Sequence, residues 1–116
     1  MTLAVVSLGG NVGDVSAAFD FANRQLQANA RIDELRTASI YQSVPMGQQA
    51  GDTFSNSVTA FQTSLEPLEL LDELQQLEDA AGRTRDIHWG PRTLDLDLIL
   101  FGDRSVAHAR LQVPPP

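Results

Sequence analysis

The sequence has no cysteine and no lysine, a single tryptophan and a single tyrosine, and no apolar run long enough to cross a bilayer. Without cysteine there are no disulfides, no thiolate metal sites and no cysteine nucleophile, a composition that fits a reducing compartment. Without lysine, the permanent side-chain cations are eight arginines set against fifteen acids, for a net charge of −7. That balance argues against a general nucleic-acid backbone binder. The opening residues, Met1 to Leu8, carry no basic leader and too short an apolar run for a signal segment. A cytoplasmic chain without membrane association is the expectation.

The 116 residues suffice for one core, so a single domain over 1–116 is expected. Five of the eight arginines (Arg83, Arg85, Arg92, Arg104 and Arg110) fall in the last third, whereas the first 82 residues hold three arginines and eleven acids. A local arginine cluster in an acidic chain predicts a small anionic ligand bound at one place.

The run Leu3 to Leu8 reads as a first strand leaving into the glycine turn Gly9-Gly10-Asn11-Val12-Gly13-Asp14. The glycine spacing is neither a dinucleotide fingerprint nor a Walker A loop, and ordinary turn chemistry accounts for it. Asp14 predicts the cap of a helix to about Asn29, with Val15, Ala18, Phe19, Ala22 and Leu26 on its apolar stripe. A second strand is expected from Arg31 to Tyr41, with poor alternation, and a long loop over residues 43–52 has the length of a binding loop or lid, with simple slack an equal alternative. A third strand, Phe54 to Leu65, puts Phe54, Asn56, Val58, Ala60 and Gln62 on one face and Ser55, Ser57, Thr59, Phe61 and Thr63 on the other. Pro67 then starts a helix carrying Leu70, Leu71, Leu74, Leu77 and Ala81 that stops at Gly82.

The chemistry concentrates in Trp89-Gly90-Pro91-Arg92-Thr93-Leu94-Asp95-Leu96-Asp97-Leu98-Ile99-Leu100. From Leu94 the run alternates apolar and acidic, so Leu94, Leu96, Leu98 and Leu100 are expected to face a core while Asp95 and Asp97 share the opposite face. Such a pair is also what an ordinary charged outer face looks like. Neighbouring carboxylates repel, however, and Mg²⁺ prefers one or two carboxylates together with phosphate oxygens and water. Arg83, Arg85 and Arg92 bring positive charge to the same stretch, which suits a metal-bound polyphosphate better than a bare metal. His88 lacks a second His or Cys at ligand spacing and reads as a loop residue near phosphate.

The order strand, helix, strand, strand, helix, strand predicts an α+β fold: a ferredoxin-like βαββαβ antiparallel sheet with both helices packed on one face. The other face is left to polar, ligand-facing residues, and Asp95, Asp97 and Asn56 are expected on it.

The Trp89–Asp97 run closely resembles the signature of the 6-hydroxymethyl-7,8-dihydropterin pyrophosphokinase family of folate biosynthesis. The likeness continues through Gly9-Gly10-Asn11, Val44-Pro45-Met46-Gly47, Phe54-Ser55-Asn56, the helix with Gln75 and Glu78, Gly82-Arg83-Thr84-Arg85, and Arg110-Leu111 with Val113-Pro114. The resemblance implies pyrophosphate transfer from the co-substrate ATP to a reduced pterin, with release of AMP. It implies two Mg²⁺ ions on Asp95 and Asp97, and Arg83 and Arg92 neutralising phosphate charge as catalytic groups, with Arg83 and Arg85 on a closing loop. It further implies a pterin slot of Val44, Pro45, Met46, Phe54, Asn56 and Trp89, and nucleotide contacts from Gln75, Arg85, Arg92, Leu98 and Arg110.

Gly10, His88, Gln112 and Pro115 depart from the family pattern, Pro115 standing where a nucleotide-contacting His is usual. The resemblance also implies a C-terminal extension that these 116 residues do not carry, and a homodimer is expected to cover the surface left by it. The alternative reading is a catalytically impaired relative acting as a nucleotide- or pterin-binding or protein-interaction module. An RNA-binding or acylphosphatase-like ferredoxin module is disfavoured by the acidic charge and the lack of paired surface aromatics.

Overall fold

The apolar run near the start of the chain becomes β1 (Thr2–Gly10), the strand from which the sheet grows on both sides. The computed structural model describes residues 1–11, 13–43, 54–82 and 94–115. After β1 come α1 (Val15–Ala28), β2 (Ile32–Thr37), β3 (Tyr41–Ser43), β4 (Phe54–Thr63), α2 (Pro67–Ala81), β5 (Asp95–Phe101), β6 (Val106–His108) and β7 (Leu111–Val113). The sheet runs β2-β4-β1-β5, with β3 also on β4, and every pairing in it is antiparallel. A separate hairpin joins β6 to β7. The protein is thus an antiparallel sheet with two helices, an α+β fold.

One face of the sheet is covered. Ala4, Val6 and Leu8 of β1, Phe61 of β4, and Leu96, Leu98 and Phe101 of β5 share a buried cluster with Phe19, Ala22 and Leu26 of α1 and Leu70 and Leu74 of α2. The helices form where the sequence places them because their ends are satisfied: the Ala17 N–H donates to Asp14 Oδ1 at 3.0 Å, and the Glu66 N–H donates to Glu69 Oε1 at 2.8 Å. Burying one large apolar side chain contributes roughly 1.5–3 kcal/mol. A net hydrogen bond contributes about 1 kcal/mol, so the apolar stripes of the helices decide which sheet face is covered. No helix among the described residues is long and apolar enough to cross a membrane.

Four local expectations are corrected. Gly9 and Gly10 are strand residues, paired with Asn56 and Ser55 of β4, so the chain turns only after them. Leu100 does not join the core: the pairing with β1 passes from Val6↔Leu98 to Val5↔Leu100, skipping Ile99. That extra residue is a bulge, and it inverts the alternation beyond it. Phe101 is therefore buried, while Leu100 is 50% exposed.

The single strand expected over residues 31–41 is two short segments against the same edge of β4. A register shift between Asp33 and Arg36, with Glu34 at φ 55°, breaks its alternation. Last, β4 ends at Thr63 and turns its hydroxyl-bearing side to the helices. Ser57, Thr59 and Thr63 are buried there, each hydroxyl hydrogen-bonded, Thr59 to Asn23 Oδ1 at 2.7 Å and Thr63 to the Arg31 carbonyl at 2.8 Å.

Candidate functional site at the β5 edge

Because β1 is central, its register aligns residues from β4 and β5 on the uncovered face. Gly9 is paired with Asn56 on one side and Asp95 on the other; Ser7 is paired with Val58 and Asp97. Paired residues point to the same face, so Asn56, Asp95 and Asp97 stand together, as the alternation of β5 anticipates. Asp97 is exposed and Asp95 half-buried. Between them Leu96 points into the core, 5% exposed, which anchors the two carboxylates on the outer face.

A cleft of about 230 Å³ opens on this face, floored by Ser7 and Gly9 and walled by Tyr41, Phe54 and Asn56, with Asp95 and Asp97 at its rim. The Asn56 amide nitrogen donates to Ser43 Oγ at 2.9 Å and to the Phe54 carbonyl at 3.3 Å. These bonds tie its orientation to β3 and the start of β4. A second cleft, of about 500 Å³, lies where the outer edge of β5 meets α2 and the β6–β7 hairpin. Gln75 and Glu78 come from α2, Arg110 and Gln112 from the hairpin, Leu98 from β5, and Asp95 and Asp97 line this cleft too. Arg110 is fixed by α2, its Nη2 donating to Asp72 Oδ1 at 2.6 Å and to Gln75 Oε1 at 3.2 Å. Pro115 also lines this space, at the position where the resemblance implies an imidazole.

Two clefts of different character therefore meet at two carboxylates. The smaller is flat-floored with an aromatic ring and an amide, the features that hold a planar heterocycle. The larger carries a guanidinium and an amide at an open edge, where an anionic, hydrogen-bonding ligand fits. Among the described residues no group of three or more His, Asp or Glu forms a cage for a metal ion. Two carboxylates beside a phosphate-sized opening are instead the donor set that Mg²⁺ shares with phosphate oxygens and water, so these residues fit that ion.

Of the residues singled out from the sequence, Phe54, Asn56, Asp95 and Asp97 meet at the first cleft, and Gln75, Leu98, Arg110 and the same two aspartates at the second. The Leu98 side chain is buried in the core at 3% exposure, so what it offers the cleft is main chain at the strand edge. Val44, Pro45, Met46, Arg83, Arg85, Trp89 and Arg92 lie outside the described residues. Ser7 and Tyr41 are not singled out as site residues by the sequence, though Ser7 stands two residues from Gly9 on one strand and a period of two puts both on one face; Asp72, on the polar face of α2, reads from the sequence as simply solvated. The pairing of Asp72 with Arg110 spans 38 positions and has no local signal.

The comparisons point to one family. The family described as 7,8-dihydro-6-hydroxymethylpterin-pyrophosphokinase (HPPK) matches residues 5–116. The chain is 39% identical over 114 residues to the 2-amino-4-hydroxy-6-hydroxymethyldihydropteridine pyrophosphokinase of Bacillus subtilis, covering 98% of this chain and 68% of that protein. It is 43% identical over 112 residues to the protein of the same name from Pseudomonas aeruginosa, covering 94% and 67% of the two. Against the Haemophilus influenzae protein of that name it is 37% identical over 114 residues, 98% of this chain and 71% of the relative.

Proposed function

The chain belongs to the 7,8-dihydro-6-hydroxymethylpterin-pyrophosphokinase family, and from that premise we propose how its residues carry the reaction. The protein is an ATP-dependent pyrophosphokinase of folate biosynthesis. It transfers pyrophosphate from ATP to 6-hydroxymethyl-7,8-dihydropterin, giving AMP and the pterin diphosphate. The observation that carries the site assignment is that Asp95 and Asp97 line both clefts. In that arrangement a pterin hydroxymethyl group and a nucleotide polyphosphate meet over the same two carboxylates.

The pterin occupies the smaller cleft, its ring stacked on Phe54 and its edge hydrogen-bonded by Asn56, with Val44, Pro45, Met46 and Trp89 completing the slot. The nucleotide lies along the β5 edge against Gln75, Arg110 and the Leu98 main chain, with Arg85 and Arg92 on its phosphates. In the transfer the pterin hydroxymethyl oxygen bonds to the β-phosphorus of ATP. The bond from that phosphorus to the oxygen bridging to the α-phosphate breaks, AMP leaves with the electron pair, and the hydroxyl proton passes to solvent. Little covalent chemistry falls to the protein, which positions the attacking oxygen and spreads the developing charge. Arg83 and Arg92 neutralise phosphate oxygens. Two Mg²⁺ ions, held by Asp95 and Asp97 when bound, supply further charge neutralisation across the polyphosphate.

The strand order β5-β1-β4-β2, with both helices on one face, supports a ferredoxin-like core to which β3 and the β6–β7 hairpin are additions. A homodimer is the assembly we assign to the apolar end of the open face, where Leu3 and Leu100 are 38% and 50% exposed. A cytoplasmic location suits an enzyme whose substrates are ATP and a reduced pterin. Incubation of the protein with ATP, Mg²⁺ and 6-hydroxymethyl-7,8-dihydropterin tests the activity. AMP that accumulates only when the pterin is present is the expected result, and no AMP, or AMP formed equally without pterin, overturns it.

A further inference from the structure

β5 is an edge strand of the sheet, so every second N–H along it points away from β1 and has no ladder partner. For Leu96 that N–H donates to Glu78 Oε2, in the last turns of α2, at 2.6 Å. Leu96 is the residue between Asp95 and Asp97, and its backbone dihedrals set how the two carboxylates stand relative to each other. A short hydrogen bond to an ionised, partly shielded carboxylate is about twice as strong as a neutral one.

Glu78 also lines the larger cleft, the one assigned to the polyphosphate. Simple solvation of the α2 surface does not account for a carboxylate turned inward to a main-chain N–H there. A role as a third metal ligand is disfavoured as well, since no group of three acidic or histidine side chains suited to a metal ion occurs among the described residues.

We propose that Glu78 is a positioning residue for the transfer: by holding the Leu96 N–H it clamps the edge of β5 to α2 and fixes Asp95 and Asp97 at the spacing the metal-bound polyphosphate requires. The proposal rests on the pyrophosphokinase reading for its catalytic consequence, but its structural content is independent of it. Three variants separate charge from hydrogen bonding. Glu78→Gln keeps an acceptor oxygen and removes the charge; Glu78→Ala removes both; Glu78→Asp keeps the charge on a stem too short to reach.

Loss of a partner that orients a metal-binding residue costs about 10–100-fold in affinity or activity. In Glu78→Ala and Glu78→Asp, kcat should fall by about that factor, with the KM for the pterin unchanged and Mg²⁺ affinity weakened. Glu78→Gln should retain most of the parent kcat. The readout free of turnover is amide hydrogen exchange followed by NMR: Leu96 should lose protection in Glu78→Ala and Glu78→Asp and keep it in Glu78→Gln.

Unchanged Leu96 protection in Glu78→Ala overturns the proposal even if activity falls. Glu78→Gln losing Mg²⁺ affinity as completely as Glu78→Ala overturns it too, because that is the behaviour of a direct ligand. A lower melting temperature with parent kcat in all three variants also overturns it, leaving a structural role only. Should the parent protein make no AMP, the pyrophosphokinase reading fails, and the exchange and Mg²⁺ titrations still decide what Glu78 does.

Discussion

Asn56 and Asp95 face each other across Gly9, which is paired in register with each of them. Two strand spacings, about 10 Å, therefore separate an amide from a carboxylate, with a residue lacking a side chain between. A Cβ built on Gly9 would lie 3.9 Å from Asn56 Oδ1, in ordinary contact, so alanine fits the backbone there. A larger side chain projects into the smaller cleft. Gly9→Val should keep the parent melting temperature within a few degrees while weakening pterin binding by about tenfold or more, near 1.4 kcal/mol. Calorimetric titration with the pterin checks this, and Gly9→Ala should fall between parent and valine.

Arg110 reaches the larger cleft from the hairpin and is aimed by Asp72 and Gln75. It is nearly half exposed, so its removal should hardly alter stability. Hydrogen bonds from a guanidinium to a phosphate are charge-assisted, about 1.5–3 kcal/mol. Arg110→Ala should raise the Kd for ATP by about 10–100-fold and leave pterin affinity alone. Asp72→Asn should have the same sense and a smaller size, since Gln75 still holds the guanidinium. Equilibrium binding of each ligand to each variant measures the difference.

Under the sheet, Thr59 is fully buried and its hydroxyl donates to Asn23 Oδ1 at 2.7 Å, with Thr37 Oγ1 at 3.0 Å. Thr59→Val keeps the volume and strands the asparagine carbonyl without that donor. The expected loss is about 1–3 kcal/mol in urea denaturation. Activity at low temperature should be unaffected, because this face is turned from both clefts.

Glu69 provides the pH dependence. Its carboxyl is held below the usual range by the N–H of Glu66, and secondarily by Arg31. A depressed carboxyl stabilises the fold when ionised, so the contribution is present above its ordinary pKa and lost as pH falls through the lowered value. Glu69→Gln should melt below the parent at neutral pH, and the gap should close on acidification below about pH 4. Thermal melts from pH 3 to 7 follow the convergence; a constant gap contradicts the assignment.

Where period and capping alone decide, the sequence was legible. Asp14 and Pro67 mark the starts of both helices, and the Leu-Asp alternation puts Asp95 and Asp97 on the open face with Asn56. What escaped depends on contacts between distant segments. The bulge at Ile99 needs the register against Val5 and Val6, so Leu100 reads as core until β1 is laid beside it. Gly9 and Gly10 read as a turn because their strand character comes from pairing with β4, and for Gly9 with β5 as well, not from propensity. That Asn23 and the Arg31 carbonyl satisfy the inward hydroxyls of β4 is likewise no local signal. Of the site, the aspartates are local signals, whereas the grip of Asp72 on Arg110 and of Glu78 on Leu96 crosses 38 and 18 positions.

In the proposed reaction Asp95 and Asp97 join two binding clefts into one transfer site. Asp97→Asn tests it most directly, since the exposed carboxylate changes charge without changing size. The measurement is the steady-state rate of AMP formation with ATP, Mg²⁺ and the pterin, alongside pterin affinity in the absence of nucleotide. The rate should fall by about 10²–10³-fold, the scale for removing one charge-stabilising group, with pterin affinity and melting temperature preserved. A variant that forms AMP at the parent rate contradicts it.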